Sequence, residues 1–209
     1  MKHILIHGLG QDDQSWNPIK TLLNEKNMEV VCPNLFQMTS QDGMDYKTIY
    51  QAFRQFCNCQ EGKVDLCGLS LGGILALDYV SEYPEKVNSI ILIGTPYEIP
   101  KHLFQIQTMI FRFMPKATFK TMGCSKEAVI ALLHSMETLD IKHKLDRIHC
   151  KSLILCGKKD KVNMKSAELL HQHIKESDFI IVDDASHEVN KDNPKKLSKI
   201  IYNFWKDEQ

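Results

Sequence analysis

The run Gly68-Leu69-Ser70-Leu71-Gly72-Gly73 sets a serine between glycines two residues away on either side. A hydroxyl is a weak nucleophile at neutral pH, so this serine matters only if the chain also supplies a base, a group that orients the base, and donors for an oxyanion. The spacing G-x-S-x-G serves that chemistry at a strand-to-helix turn. The turn is so tight that a side chain at either flanking glycine would strike backbone, and the serine is lifted over a helix N-terminus whose dipole favours negative charge. The apolar run Val64–Cys67 before it and the helical pattern Leu71–Glu82 after it provide that setting. A glycine-rich turn carrying an inert serine is the competing reading, and the two flanks count against it.

A base and its orienter should follow the serine in the order acid, then histidine. The apolar run Leu153–Cys156 ends in Gly157-Lys158-Lys159-Asp160, and the run Phe179–Val182 ends in Asp183-Asp184-Ala185-Ser186-His187. Asp160 and His187 would then stand on the same sheet edge as Ser70, the edge where open α/β sheets bind ligands. Asp183, Asp184 and Glu98 remain alternative acids. His3, His102, His134, His143, His149, His171 and His173 read as surface residues. The oxyanion would be held by two backbone N–H groups, those of Leu71 and of Leu9 in His7-Gly8-Leu9-Gly10, where the small neighbours let the backbone approach a reacting carbonyl.

These residues need a scaffold, and the sequence describes one. Short apolar runs at Ile4–Ile6, Glu29–Cys32, Val64–Cys67, Ser89–Ile93, Leu153–Cys156 and Phe179–Val182 close on turn residues, as buried parallel strands do. Between them lie helical patterns at Ser15–Lys26, Tyr46–Cys57, Leu71–Glu82, Lys165–Lys175 and Pro194–Trp205, the last announced by Asn193 as N-cap and Pro194 in the first turn. Strand and helix alternating at this rhythm predict one α/β domain over residues 1–209, with a doubly wound, mostly parallel sheet of about six strands.

One segment interrupts the rhythm. Residues 97–146 carry helical patterning broken at Pro115 and Gly123, with Ser125 as an N-cap, and hold four of the nine Met and four of the nine Phe. Packing alone accounts for such stripes. A helical lid inserted in the domain, with Phe104, Met109, Phe111, Met114 and Phe119 lining an apolar substrate pocket, is the functional reading, since thioethers and aromatics suit apolar ligands, and both can hold together.

Composition narrows the function. The 26 basic and 26 acidic residues balance, which argues against a broad nucleic-acid surface. A hydrophobic content of 43% and a mean hydropathy of −0.27 belong to a soluble globular chain. No stretch approaches the ~18 apolar residues of a membrane span, and the N-terminal apolar run is too short for a secretory signal. Seven scattered cysteines predict free thiols and a cytoplasmic setting. Cys57-x-Cys59 has no matching pair, so no zinc site is expected. Gly8-x-Gly10 is followed by Gln11-Asp12-Asp13, which is wrong for a dinucleotide pyrophosphate. The expectation is a small-molecule substrate, with neither metal nor cofactor.

On these residues the chain resembles the α/β-hydrolase superfamily, in its small, lid-bearing branch of esterases, lipases and thioesterases. The oxyanion loop His7–Gly10 with Trp16 after it, the Gly68–Gly73 turn, Gly94-Thr95-Pro96, Gly157–Val162 and the His187 segment running to Asn193-Pro194 follow in family order. Three features depart from the pattern. The sequence starts directly at the His-Gly strand, Cys150-Lys151-Ser152 stands where a proline usually precedes the acid-bearing strand, and Ser186 replaces a common glycine. The resemblance implies a Ser-His-Asp carboxylesterase. Thioester cleavage, C–C hydrolysis or lyase chemistry on the same triad stay open, as does a non-catalytic small-molecule receptor. With only Arg54, Arg112 and Arg147 in the chain, a substrate bearing several carboxylates is disfavoured.

Overall fold

Six strands form a single sheet: β1 (Lys2–Ile6), β2 (Val30–Val31), β3 (Val64–Leu69), β4 (Val87–Ile93), β5 (Lys151–Gly157) and β6 (Ser177–Val182). They come from a computed structural model that describes residues 1–39, 44–98, 115, 119 and 124–206. The order across the sheet is β2-β1-β3-β4-β5-β6, and every neighbouring pair is parallel. Among the described residues the α-helices are α1 (Asn17–Asn24), α2 (Tyr46–Asn58), α3 (Leu71–Glu82), α4 (Lys126–Met136), α5 (Met164–His173), the single turn α6 (Val189–Asp192) and α7 (Pro194–Lys206).

Alternation along the strands sorts the core into two layers. Ile4, Ile6, Leu66, Ile90, Leu92, Ile154 and Cys156 pack with α2, α3, α4 and α5. Leu5, Cys67, Leu69, Ile91, Ile93, Leu153 and Leu155 pack on the other face with α1 and α7. The expected doubly wound sheet is the one observed.

Where elements differ from expectation, a local cause is visible. The second strand shrinks to two residues because it lies at the sheet edge and pairs only with β1. The first helical segment divides into a 3-10 turn, Asp13–Trp16, and α1. Asp12 and Ser15 form a reciprocal capping box on the turn, and Pro18, which lacks an N–H, fits only the opening of the α-helix. His3 is a correction. It is buried at 6% exposure because it faces the same side as Leu5 and lies in register with Asp65. Its Nδ1 lies 3.0 Å from Asp65 Oδ2 without hydrogen-bond geometry, and its ring stacks on Trp205 with centroids 4.7 Å apart.

Helix α3 is buried from Leu71 to Ser81, which is why its sequence shows no polar stripe. Its one buried charge, Asp78, is matched: Tyr46 Oη donates to Oδ2 at 2.8 Å and Lys144 Nζ to Oδ1 at 2.7 Å. Ser125 caps α4 as expected, accepting from Ala128 N at 3.1 Å. Asn193 Oδ1 accepts from Lys196 N at 3.3 Å at the start of α7.

From β1 the chain steps outward to β2, then returns past β1 to β3. That reversal opens a crevice at the carboxyl ends of β1 and β3, which hold His7–Gly10 and Ser70. Among the described residues, no helix is long and apolar enough to cross a membrane and no group of three or more His, Cys, Asp or Glu could hold a metal ion.

Candidate active site

Ser70 links β3 to α3 with φ 52° and ψ −110°, a left-handed backbone on a residue that carries a side chain. Such a conformation costs on the order of 1–3 kcal/mol and persists only when its surroundings hold it. Ser70 N donates to Ile93 O at 2.9 Å, and Ser70 O accepts from Gly73 N at 2.9 Å and Ile74 N at 3.1 Å. The flanking glycines are required by space. A Cβ on Gly68 would overlap the Gly72 carbonyl, and one on Gly72 would overlap the Ile6 carbonyl. The start of α3 is therefore pressed directly onto the end of β1, with Leu71 as the first residue of the helix, where backbone N–H groups have no intrahelical acceptor.

The loop after β1 lies against this turn: a Cβ on Gly8 would stand 3.5 Å from Ser70 Cβ. Gln11 N donates to Gly8 O at 3.2 Å, closing a tight turn around Leu9 and Gly10. The fully buried His7 anchors it. Leu35 N donates to His7 Nε2 at 3.0 Å, and Nδ1 lies 3.0 Å from Gly8 O. An Nε2 that accepts and a carbonyl that can only accept require the neutral tautomer protonated on Nδ1. Burial, the dominant influence, lowers the His7 pKa, against the hydrogen bond to Gly8 and the charges of Asp12 and Asp13.

Asp160 and His187 come together from the loops after β5 and β6. His187 Nδ1 is 2.8 Å from Asp160 Oδ2, with the carboxylate side chain 4% exposed and the imidazole 40% exposed. Burial pushes the Asp160 pKa up, but the hydrogen bonds from His187 and Asn163 outweigh it and hold the carboxyl below its usual value. Asn163 donates its backbone N–H to Oδ1 at 3.2 Å and its Nδ2 to both oxygens, at 3.0 and 2.9 Å. Because His187 Nδ1 gives its proton to Asp160 and Asn163 Nδ2 is itself a donor, their 3.1 Å approach is a contact between donors rather than a bond. Gly94 floors the pair: a Cβ there would stand 3.0 Å from His187 Nδ1 and 3.4 Å from Asp160 Oδ2.

Two of the other acids are engaged elsewhere. Asp183 is exposed and binds Lys158 and Lys196, each at 3.0 Å, and Glu98 pairs with Lys142. Asp184 holds a left-handed backbone at φ 60°. Ser186, where a glycine is common, gives its N–H to Asp192 Oδ2 at 2.6 Å. Of the pocket residues expected from sequence, Phe104, Met109, Phe111 and Met114 lie outside the described residues, and Phe119 is fully buried in the core that contains α3 and α4. Sequence reading missed Asn163, three residues after the acid, and the anchoring bonds of His7.

Residues 4–128 match the family described as the alpha/beta hydrolase fold, and the chain belongs to that family. It is 20% identical over 250 residues to monoacylglycerol lipase ABHD6 of Mus musculus, covering 96% of this chain and 74% of that one. Two solved structures share the fold. An esterase from Thermogutta terrifontis superposes with a TM-score of 0.78 at 19% identity, covering 99% of this chain and 90% of that one. A bromoperoxidase from Bacillus anthracis gives 0.83 at 18% identity, covering 99% and 92%. Neighbours with such different names mean that the fold alone does not select the chemistry.

Proposed function

We propose that this protein is a serine hydrolase that cleaves a carboxylic ester of a small or moderately apolar substrate through an acyl-enzyme. Ser70 is the nucleophile, His187 the base and Asp160 its orienter. The observation that carries the reading is the convergence on the end of β4. Ser70 N is bonded to Ile93 O, and the next residue, Gly94, underlies the His187 ring where it meets the buried Asp160.

In this mechanism Asp160 accepts from Nδ1, leaving Nε2 to take the Ser70 proton as Oγ attacks the carbonyl carbon. The backbone N–H groups of Leu9 and Leu71 receive the oxyanion. Collapse of the tetrahedral intermediate expels the alcohol, which takes its proton from His187. Water, deprotonated by the same imidazole, then attacks the acyl-enzyme and releases the acid and free Ser70. No metal or cofactor enters these steps.

An ester comes before other acyl donors because the relatives include a lipase and an esterase by name. Residues 97–146 are read as a lid, and the Met and Phe within that stretch favour an apolar acyl or alcohol portion. The odd, unpatterned set of seven cysteines is the support for a cytoplasmic setting. A panel of p-nitrophenyl esters and acyl thioesters graded by chain length, run with Ser70→Ala as control, tests the reading. Multiple turnover on esters that vanishes in the variant is expected. Stoichiometric binding of intact ester without turnover would replace the enzyme with a receptor.

A further inference from the structure

Two buried amides join the loop after β1 to the loop that carries His187. Gln11 is 3% exposed and Asn190 is fully buried. Gln11 Nε2 donates to Asn190 Oδ1 at 3.2 Å, and Asn190 Nδ2 donates back to Gln11 Oε1 at 3.0 Å. The second hydrogen of Gln11 goes to Glu188 Oε1 at 2.7 Å, and the second hydrogen of Asn190 to Ser15 O at 3.2 Å. All four N–H donors of the two amides are therefore used, and both amide oxygens accept.

The placement of this cluster gives it a purpose beyond packing. Gln11 closes the turn that contains Leu9, and Glu188 is the residue next to His187. Apolar side chains could fill the same space, but they would not fix the distance between the loops, because dispersion contacts are not directional and hydrogen bonds are. A fully satisfied buried polar cluster specifies one arrangement. Glu188 reinforces it. Burial opposes its ionisation, yet the bonds from Gln11 and Lys191 hold its pKa below the usual value, so a charged acceptor faces Gln11 across the neutral range.

We propose that Gln11 and Asn190 are positioning residues that hold the Leu9 N–H and the His187 imidazole in one register about Ser70, so that the oxyanion donor and the base act on the same tetrahedral centre. The inference rests on the serine-hydrolase reading above. Displacing either loop by about 1 Å is expected to lower turnover by up to ~100-fold, the sensitivity that near-attack geometry gives.

The test is kinetic, with active sites counted by a fluorophosphonate. Gln11→Glu is isosteric but sets a carboxylate against both Glu188 and the Asn190 amide oxygen, and adding Glu188→Gln restores the amide–carboxylate pair at position 188 while leaving the Asn190 contact unrepaired. Gln11→Met removes the amide without adding charge and serves if Gln11→Glu does not fold. The expected result for Gln11→Glu or Gln11→Met is full labelling at the end point, with kcat per labelled site ten- to a hundredfold lower and KM within about threefold. The double variant should recover part of the loss, turning over severalfold faster than Gln11→Glu alone, because the charge–charge repulsion is gone. Unchanged kcat per labelled site would overturn the proposal, whether the labelled fraction is full or reduced, because a merely structural role changes how many sites form and not how each one works. A double variant no faster than Gln11→Glu alone would also overturn it. If the unaltered protein neither labels nor turns over ester, it is the serine-hydrolase reading that falls.

Discussion

His187 Nδ1 and Asp160 Oδ2 stand 2.8 Å apart although the two residues are 27 positions apart in the chain and leave different strands. The pairing fixes which imidazole nitrogen carries the proton. Replacing Asp160 by Asn would present an amide N–H to Nδ1 and turn the ring to the tautomer that cannot accept from Ser70. Asp160→Asn is expected to lower kcat on a p-nitrophenyl ester by about 10³–10⁴-fold with little change in KM. Asn163→Ala, which removes the Nδ2 donor to both oxygens of the acid but leaves the backbone N–H and the imidazole bond, should lose about tenfold. Equal losses in the two variants would contradict the assignment of Asp160 as the orienter.

The contact of Gly72 with Ile6 predicts an intolerant position. Gly72→Ala drives a Cβ into backbone carbonyls of β1, which cannot rotate away as a side chain can. Destabilisation of about 3 kcal/mol or more, read from urea unfolding, is expected. A variant with an unshifted midpoint would show that α3 and β1 are not in direct contact.

The neutral, buried His7 predicts a pH dependence of stability. Its folded pKa lies below the ordinary 6.5 because of burial. The unfolded chain therefore binds a proton near pH 6.5, whereas the folded chain does so only at lower pH. The contribution of neutral His7 is complete above about pH 6.5 and is lost as pH falls through the folded value, with a slope of up to about 1.4 kcal/mol per pH unit. Urea midpoints of the unaltered protein should fall more steeply between pH 7.5 and 5.5 than those of His7→Gln. Parallel profiles would mean that His7 is not the group responsible.

Asp78 predicts a coupling between α3 and the segment that precedes β5. Lys144→Met leaves the buried carboxylate with Tyr46 alone. A loss of about 1–3 kcal/mol is expected, since Lys144 is partly solvated. Asp78→Asn combined with Lys144→Met should be less damaging than Lys144→Met alone, because the unpaired charge is gone. The reverse order would refute a charge-driven account.

What the sequence revealed, and what it concealed, follows the range of the interactions. Strands buried on both faces read as unbroken apolar runs, so Ile90–Ile93 and Leu153–Cys156 were legible, and with them the parallel sheet. The placement of Ser70, Asp160 and His187 on one side of the sheet was legible because each follows a strand, and the ends of parallel strands share one edge. Asn163 was not, because an asparagine near a helix start looks like any loop residue until the carboxylate beside it is located. The Gln11–Asn190 pair was hidden more deeply, since its partners lie 179 residues apart and no periodicity joins them. His3 misled because only its register with Asp65, set by the pairing of β1 and β3, gives it a buried partner. The start of α1 at Asn17 was in principle legible from Pro18.

The central claim is that Ser70 is an activated nucleophile, and intact-mass measurement after treatment with a fluorophosphonate tests it most directly. The account predicts one covalent adduct per chain, mapped to the peptide containing Ser70, and none on Ser70→Ala. An unlabelled but folded protein, or an adduct on another residue that survives in Ser70→Ala, would contradict it.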